Sequence, residues 1–234
     1  LFGRDSGERE VRSMGNDMLR VKGYFHKTAE EFDSIYTGDK NRLAWFLDRL
    51  LRRDMFDRFN LALSECGDVR GKRVLDVGCG SGRYSVALAE RGAGKVVGID
   101  FAENMIDLSE RLAAEQGVGD VCEFICDDFL SYDFELDFHI SLAIGFFDYT
   151  EKPLPFLKKM RDITLEKVIA TFPRKWTYRM PIRKARLTLK GCPVYFYAES
   201  DIADLLGKAG FKSFHMRKVG KIYLVVARPR GGYL

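Results

Sequence analysis

The chain has 234 residues, 46% of them hydrophobic and 31% charged, with a formal net charge of +4. That length fits one full core and excludes two generous domains with linkers. The small positive charge does not by itself argue for nucleic acid. Five cysteines, at 66, 79, 122, 126 and 192, show no paired metal spacing, and their odd number makes a poor disulfide framework. Cys122 and Cys126 fall in one expected strand, where four residues at ~3.3 Å each set them about 13 Å apart, too far to bridge. Reduced thiols and a cytoplasmic location are the expectation. No apolar run approaches the ~20 residues that cross a bilayer, and no segment reads as a signal peptide.

Residues 1–22 are polar and aperiodic and read as a flexible arm. Residues 23–68 read as a helical preface: Phe25, Phe32 and Tyr36 lead in, then Leu43, Phe46, Leu47, Leu50, Leu51, Met55 and Phe59 recur at threes and fours. The later stripe reads as core, and Phe25, Phe32 and Tyr36 as a lid. From residue 69 to 234 short β-rich runs alternate with helical ones, the order of a parallel sheet wrapped by helices. The expected strands are Arg73–Val77, Lys95–Ile99, Cys122–Cys126, Phe138–Ile144, Lys167–Phe172, Phe211–Arg217 and Ile222–Ala227. The expected helices are Tyr84–Arg91, Asn104–Glu115, Leu154–Ile163 and Ser200–Ala209, with Gly92 and Gly210 as left-handed stops. Lys218-Val219-Gly220-Lys221 is short enough for a hairpin, so the last strand should run antiparallel. The fold class is therefore α/β, a Rossmann-like, seven-stranded, mostly parallel sheet with helices on both faces and an N-terminal helical lid.

Four strand ends carry chemistry. Val74-Leu75-Asp76-Val77 runs into Gly78-Cys79-Gly80-Ser81-Gly82, where glycines on alternate positions allow a tight turn and a close ligand. An ordinary glycine turn would explain this loop alone. Lys95 to Ile99 then ends in Asp100, about twenty residues on, where a carboxylate accepts hydrogen bonds from ribose hydroxyls. The third strand ends in Cys126-Asp127-Asp128-Phe129, and the fourth in Ala143-Ile144-Gly145-Phe146-Phe147, an apolar wall. The dinucleotide fingerprint G-x-G-x-x-G, started from Gly78, would want glycine at 83; Arg83 stands there and the glycine is at 82.

Together these motifs resemble the class I S-adenosylmethionine-dependent methyltransferases over residues 72–227. The resemblance implies that the Gly78, Cys79, Gly80 and Gly82 loop lies under the methionine part of S-adenosylmethionine and that Asp76 braces it. It further implies that Asp100 holds the ribose and that Asp127, with Asp128 beside it, meets the adenine amino group. Phe101, Met105 and Phe129 would pack on the adenine, with Ala143 and Ile144 at the neighbouring strand end. S-adenosylhomocysteine is the implied product. The family's fourth strand usually opens Phe-Asp or Tyr-Asp; this chain has Phe138-His139, but a strand's opening lies far from chemistry at its carboxyl end, so His139 reads as structural.

For the acceptor the sequence offers less. The sulfonium donor is already electrophilic, so alignment and desolvation can supply most of the acceleration and a base is optional. Candidates for one are His26, Asp148 and Tyr149, though Asp148 equally suits a turn cap. No Asn-Pro-Pro-Tyr or Asp-Pro-Pro-Tyr follows the fourth strand, where enzymes that methylate exocyclic base nitrogens carry it, which disfavours nucleic acid and favours a small molecule. Residues 173–198 form an insertion after the fifth strand that holds seven cations and no acid, Arg174 first among them, interleaved with Trp176 and Tyr178. With Phe147, these read as a substrate cap for an anionic or aromatic acceptor, or as a solvated cationic face. The segment from Ile169 to Lys175, together with Ala198-Glu199-Ser200-Asp201, has a partial resemblance to magnesium-protoporphyrin O-methyltransferases, which methylate a porphyrin propionate. A non-catalytic cofactor-binding module and a nicotinamide-dependent oxidoreductase stand as the alternative functions.

Overall fold

A computed structural model describes residues 55–175 and 193–229. It begins in a helix at 55–66 (α1) and continues through β1 (Arg73–Val77), α2 (Arg83–Glu90), β2 (Lys95–Asp100), α3 (Glu103–Glu115) and β3 (Cys122–Cys126). There follow β4 (Phe138–Ala143), α4 (Pro153–Asp162), β5 (Thr164–Pro173), α5 (Glu199–Ala209), β6 (Ser213–Val219) and β7 (Ile222–Arg228).

The seven strands form one sheet in the order β3-β2-β1-β4-β5-β7-β6. Pairings from β3 across to β5 are parallel, and β7 runs antiparallel to both β5 and β6. The chain steps outward from β1 to β2 and β3, then returns to β1's other side for β4. This reversal makes the carboxyl ends of β1 and β4 the switch point, where open α/β sheets leave a crevice for ligands.

Period-two alternation divides the core between the two faces of the sheet. Leu75, Val77, Val97, Ile99, Val168, Ala170, Tyr223 and Val225 point to one side and pack with Phe156, Leu157 and Met160 of α4 and Ile202 and Leu206 of α5. Val74, Val96, Ile140, Leu142, Ile169, Leu224 and Val226 point to the other and pack with Ala62, Leu63 and Cys66 of α1 and Leu88 and Ala89 of α2. The end of the helical preface is thus part of the sheet's core, and Phe59 leans on Tyr84 at 4.9 Å between ring centroids.

Two strands depart from the sequence expectation. β5 starts at Thr164, three residues earlier than its apolar run, because its polar residues find partners: Glu166 accepts from Lys72 Nζ at 2.6 Å, and Lys167 Nζ donates to the Glu65 carbonyl at 2.8 Å. β6 starts at Ser213 instead of Phe211, whose side chain is buried directly after the left-handed Gly210. His139 stands in the opening of β4, where its Nδ1 accepts the Arg73 amide at 3.0 Å, a structural bond at the end of the sheet away from the crevice. Among the described residues no helix is long and apolar enough to cross a membrane.

Candidate functional site

The glycine loop leaves β1 with its backbone already tied down. Gly78 N and Cys79 N both donate to Ile99 O, at 2.8 and 3.2 Å, and Gly82 N donates to Cys79 O at 3.0 Å. Asp100, at the end of β2, takes the Gly80 amide on Oδ2 and the Ala102 amide on Oδ1, each at 3.0 Å. Two charge-accepting oxygens therefore hold the loop's crest against the start of α3. Burial pushes the Asp100 carboxyl up, and its backbone donors at Ala102, Gly80 and Phe101 oppose that.

Asp76 is placed differently from the expectation that it braces this loop. It is 2% exposed, on the α2 side of β1, and its Oδ2 accepts the Ser85 hydroxyl at 2.8 Å. It pins α2 to β1, and the loop brace is Asp100. Burial raises the Asp76 carboxyl to about 6; the Ser85 hydroxyl acts against that and the nearby Asp100 adds to it. Cys79 is buried, its Sγ 3.0 Å from where a Cβ at Gly98 would stand, and burial lifts its thiol well above the ordinary range. It packs the loop onto β2 and has no free thiolate to offer.

Asp127 N donates to Asp100 O at 3.2 Å, which joins the third strand end to the second. Asp127 is exposed on this rim, whereas Asp128 takes the Leu130 amide at 3.0 Å and caps the following turn. Met105 is buried beside Phe101, Ala102 and Leu108. Phe129 is 4% exposed and stacks on Phe156 at 6.1 Å, so its ring belongs to the core and presents no face to an adenine.

Across the switch point, β4 ends in Ala143, followed by Ile144, and their side chains are buried on opposite faces of the sheet. Only their backbone can line a crevice. Gly145 N donates to Thr171 Oγ1 at 2.8 Å, and the chain turns so that Phe146 lies over the glycine loop: a Cβ on Gly78 would stand 2.5 Å from Phe146 Cδ2. Phe147 instead is fully buried, stacked on Phe172 with centroids 4.7 Å apart and planes 3° apart. It cannot serve as the substrate wall the sequence assigned to it; Phe146, half-buried, is the ring of the pair that reaches the β1/β4 junction. By contrast, a Cβ on Gly80 would meet nothing within 4 Å among the described residues, so none of these fills the space above the crest of the loop.

Asp148 is 3% exposed and its carbonyl accepts the Tyr195 amide at 2.9 Å. The Tyr197 hydroxyl donates toward the carbonyls of Phe147 and Thr150, both at 3.3 Å, and burial and then the charge of Asp148 push that hydroxyl upward. Tyr149 is half-buried in the same turn. Arg174 donates Nη1 to Gly220 O at 2.7 Å and lies over the Tyr223 ring at 5.6 Å, which commits its guanidinium to the β6–β7 turn and away from an acceptor. His26, Phe25, Phe32, Tyr36, Trp176 and Tyr178 lie outside the described residues, where no placement is assigned. Ser85, Ser109 and Thr171 complete the site's framework, and sequence reasoning missed them because a lone hydroxyl in a helix or strand carries no periodic signal.

Residues 74–166 match the family model described as a methyltransferase domain. The magnesium protoporphyrin IX methyltransferase of Arabidopsis thaliana is 28% identical over 85% of this chain and 65% of its own length. A ubiquinone biosynthesis O-methyltransferase of Neisseria meningitidis is 49% identical over 59 residues, 25% of this chain and 24% of the relative. The chain thus spans about a quarter to two-thirds of these curated relatives. The crystal structure of the Synechocystis magnesium protoporphyrin IX methyltransferase with bound S-adenosylhomocysteine superposes with a TM-score of 0.73 at 22% identity, covering 91% of this chain and 99% of that one. That likeness bears on the fold: the seven-stranded, Rossmann-like sheet with β7 antiparallel is shared.

Proposed function

We propose that the chain is a class I S-adenosylmethionine-dependent methyltransferase that moves a methyl group from that cofactor to an oxygen of a small-molecule acceptor. The observation that carries the reading is the Gly78–Gly82 crest, held from beneath by Asp100 and covered above Gly80 by none of the described residues. The cofactor's residues fit: a carboxylate with its backbone donors satisfied still has lone pairs for ribose hydroxyls, the exposed Asp127 can accept from an adenine amino group, and the partly buried Phe101 offers apolar surface, with Met105, 2% exposed, packed behind it. S-adenosylmethionine, when bound, supplies a methyl on a positively charged sulfur that needs no further activation.

What the chain's own residues contribute is alignment. The prefixed loop spends no entropy on closing around its ligand, and Phe146 walls the loop's flank with a ring that excludes water beside the acceptor. Tyr149, half-buried on the turn after this ring, is the position from which an acceptor proton would be taken were the acceptor a neutral hydroxyl, whereas Asp148 beside it is buried. A carboxylate acceptor needs no such help. The plant and Synechocystis relatives, similar over most of the chain, are named for a porphyrin, and the Neisseria relative for a quinone. Both names favour a planar, largely apolar body over nucleic acid. The four described cysteines are free thiols, which suits a reducing, cytoplasm-like compartment.

Calorimetry with S-adenosylmethionine and S-adenosylhomocysteine tests the donor, and methyl-labelled cofactor with a panel of porphyrins and quinol precursors tests the acceptor. Asp100→Ala loses both the Gly80 anchor and the ribose carboxylate and is expected to weaken binding about 100-fold, or about 2.7 kcal/mol. Failure to bind either cofactor sinks the reading. Binding without label transfer to any acceptor favours a cofactor-binding module, and saturable binding of NADH favours the oxidoreductase.

A further inference from the structure

Gly82, whose position separates this loop from the dinucleotide spacing, is pressed against α3. A Cβ at residue 82 would stand 2.8 Å from Ser109 Cβ, 2.9 Å from its Oγ and 3.0 Å from its Cα. The glycine is required because Ser109 occupies the space, and its φ of 73° is a second reason. Ser109 is fully buried, and its Oγ lies 2.8 Å from Gly80 O and 2.9 Å from Met105 O. A hydroxyl carries one hydrogen, so the two carbonyls compete for it. Met105 O is the carbonyl one turn back, within reach of any helical serine. Gly80 O is 29 positions away in sequence, and α3 gains nothing from it as a helix.

Gly80 is therefore held through both of its peptide groups, its amide by Asp100 at 3.0 Å and its carbonyl by Ser109 at 2.8 Å. We infer that Ser109 is a positioning residue for the methyl donor: by fixing the Gly80 carbonyl it sets which face of the loop opens onto the crevice. This rests on the loop being the S-adenosylmethionine cradle. The serine acts through the loop and touches no reacting atom. Its second acceptor within α3 keeps the hydroxyl satisfied if the loop shifts, so the cost of losing the long-range bond falls on the loop and spares the helix. Alanine forms helix better than serine, so removing the hydroxyl leaves α3 intact and the Gly80 carbonyl free to rotate.

The test compares wild type, Ser109→Ala and Ser109→Cys by calorimetry with S-adenosylhomocysteine and by amide hydrogen exchange without ligand. Ser109→Ala is expected to raise Kd about tenfold and to speed exchange in residues 78–84 about tenfold, with α3 exchange unchanged, as fits loss of one hydrogen bond. Cysteine, a weak donor of similar size, should fall between the two. A Kd within twofold of wild type overturns the inference, as does exchange that accelerates equally through α3. If the alanine variant does not fold, the cysteine variant decides: wild-type Kd and exchange overturn the inference, and an intermediate loss upholds it. If wild type binds no S-adenosylhomocysteine while Ser109→Ala still frees residues 78–84, the functional reading falls and the loop-fixing role stands.

Discussion

The two sides of the switch point are built by different means. On the β1, β2 and β3 side, the loop is shaped by backbone groups meeting fixed partners: its amides meet the acceptors Ile99 O and Asp100, and its Gly80 carbonyl takes the Ser109 hydroxyl. On the β4 and β5 side, the chain after Gly145 is shaped by rings, with Phe146 set edge-on to Phe147 at 81° and to Phe156 at 63°, and Phe147 stacked on Phe172. Amide-to-carboxylate geometry tolerates little change of residue, whereas a packed aromatic cluster accepts many sequences of similar volume. The glycine-loop side is thereby constrained in its residues, and the ring side is freer to vary.

The largest test of that division is on the ring side. Phe147→Ala should cost about 3–5 kcal/mol in denaturant unfolding, because it empties a site with no exposed surface. Phe146→Ala should cost under about 2 kcal/mol and show its effect in acceptor KM. Equal stability losses from the two would erase the distinction between core and wall. Next is Asp76, whose folded pKa of about 6 lies above its ordinary 3.8. The folded state keeps the proton longer than the unfolded chain does. Stability from this group is therefore full below about pH 4, falls as the pH rises toward 6, and is lower by about 3 kcal/mol beyond it. Asp76→Asn leaves a carbonyl oxygen for Ser85 and removes the titration, so urea melts at pH 4.5 and 7 should converge; a slope like wild type would show that the buried acid is not the source.

On the amide side, Gly78→Ala combines a φ of 67° with a Cβ driven into the Phe146 ring, and about 2–3 kcal/mol of stability should go. Gly80→Ala meets none of the described residues and should cost about 1 kcal/mol through its backbone alone, yet weaken S-adenosylhomocysteine binding as strongly as Gly78→Ala does. Undiminished binding in Gly80→Ala would place the ligand elsewhere. The smallest effect belongs to His139→Ala, which leaves the Arg73 amide without its acceptor for about 1 kcal/mol and should not change methyl transfer. A collapse of kcat there would move the chemistry to the wrong end of the sheet.

Much of the fold was legible because the strands are buried on both faces. Runs such as Val96-Val97-Gly98-Ile99 and Ile222 to Ala227 have few ways to hide apart from a central strand, and Gly92 and Gly210 do adopt the left-handed conformation expected of them. Errors fell where polar residues joined a strand through distant partners. Glu166 and Lys167 read as a boundary, but Lys72 and the end of α1 complete them. Similarly, adjacency in sequence made Phe147 as good a wall as Phe146, and Phe129 as good a cover for adenine as Phe101. Which ring of a pair turns inward depends on the turn at Gly145 and on the cavity left by Phe156 and Phe172, and no local pattern encodes either.

The sequence by itself determined the sheet, its glycine crest and the acids at its strand ends, because each follows from backbone chemistry that specific residues must satisfy: glycine at positive φ, carboxylates facing amides, alternating apolar residues in strands. Tertiary structure alone decided the division of labour among them. It gave the loop to Asp100 and Ser109, set Asp76 on α2, committed Arg174 to the β6–β7 turn and put Phe146 across Gly78. Those assignments depend on distances between segments 9 to 68 positions apart in the chain, and only packing the two faces of the sheet brings such segments together.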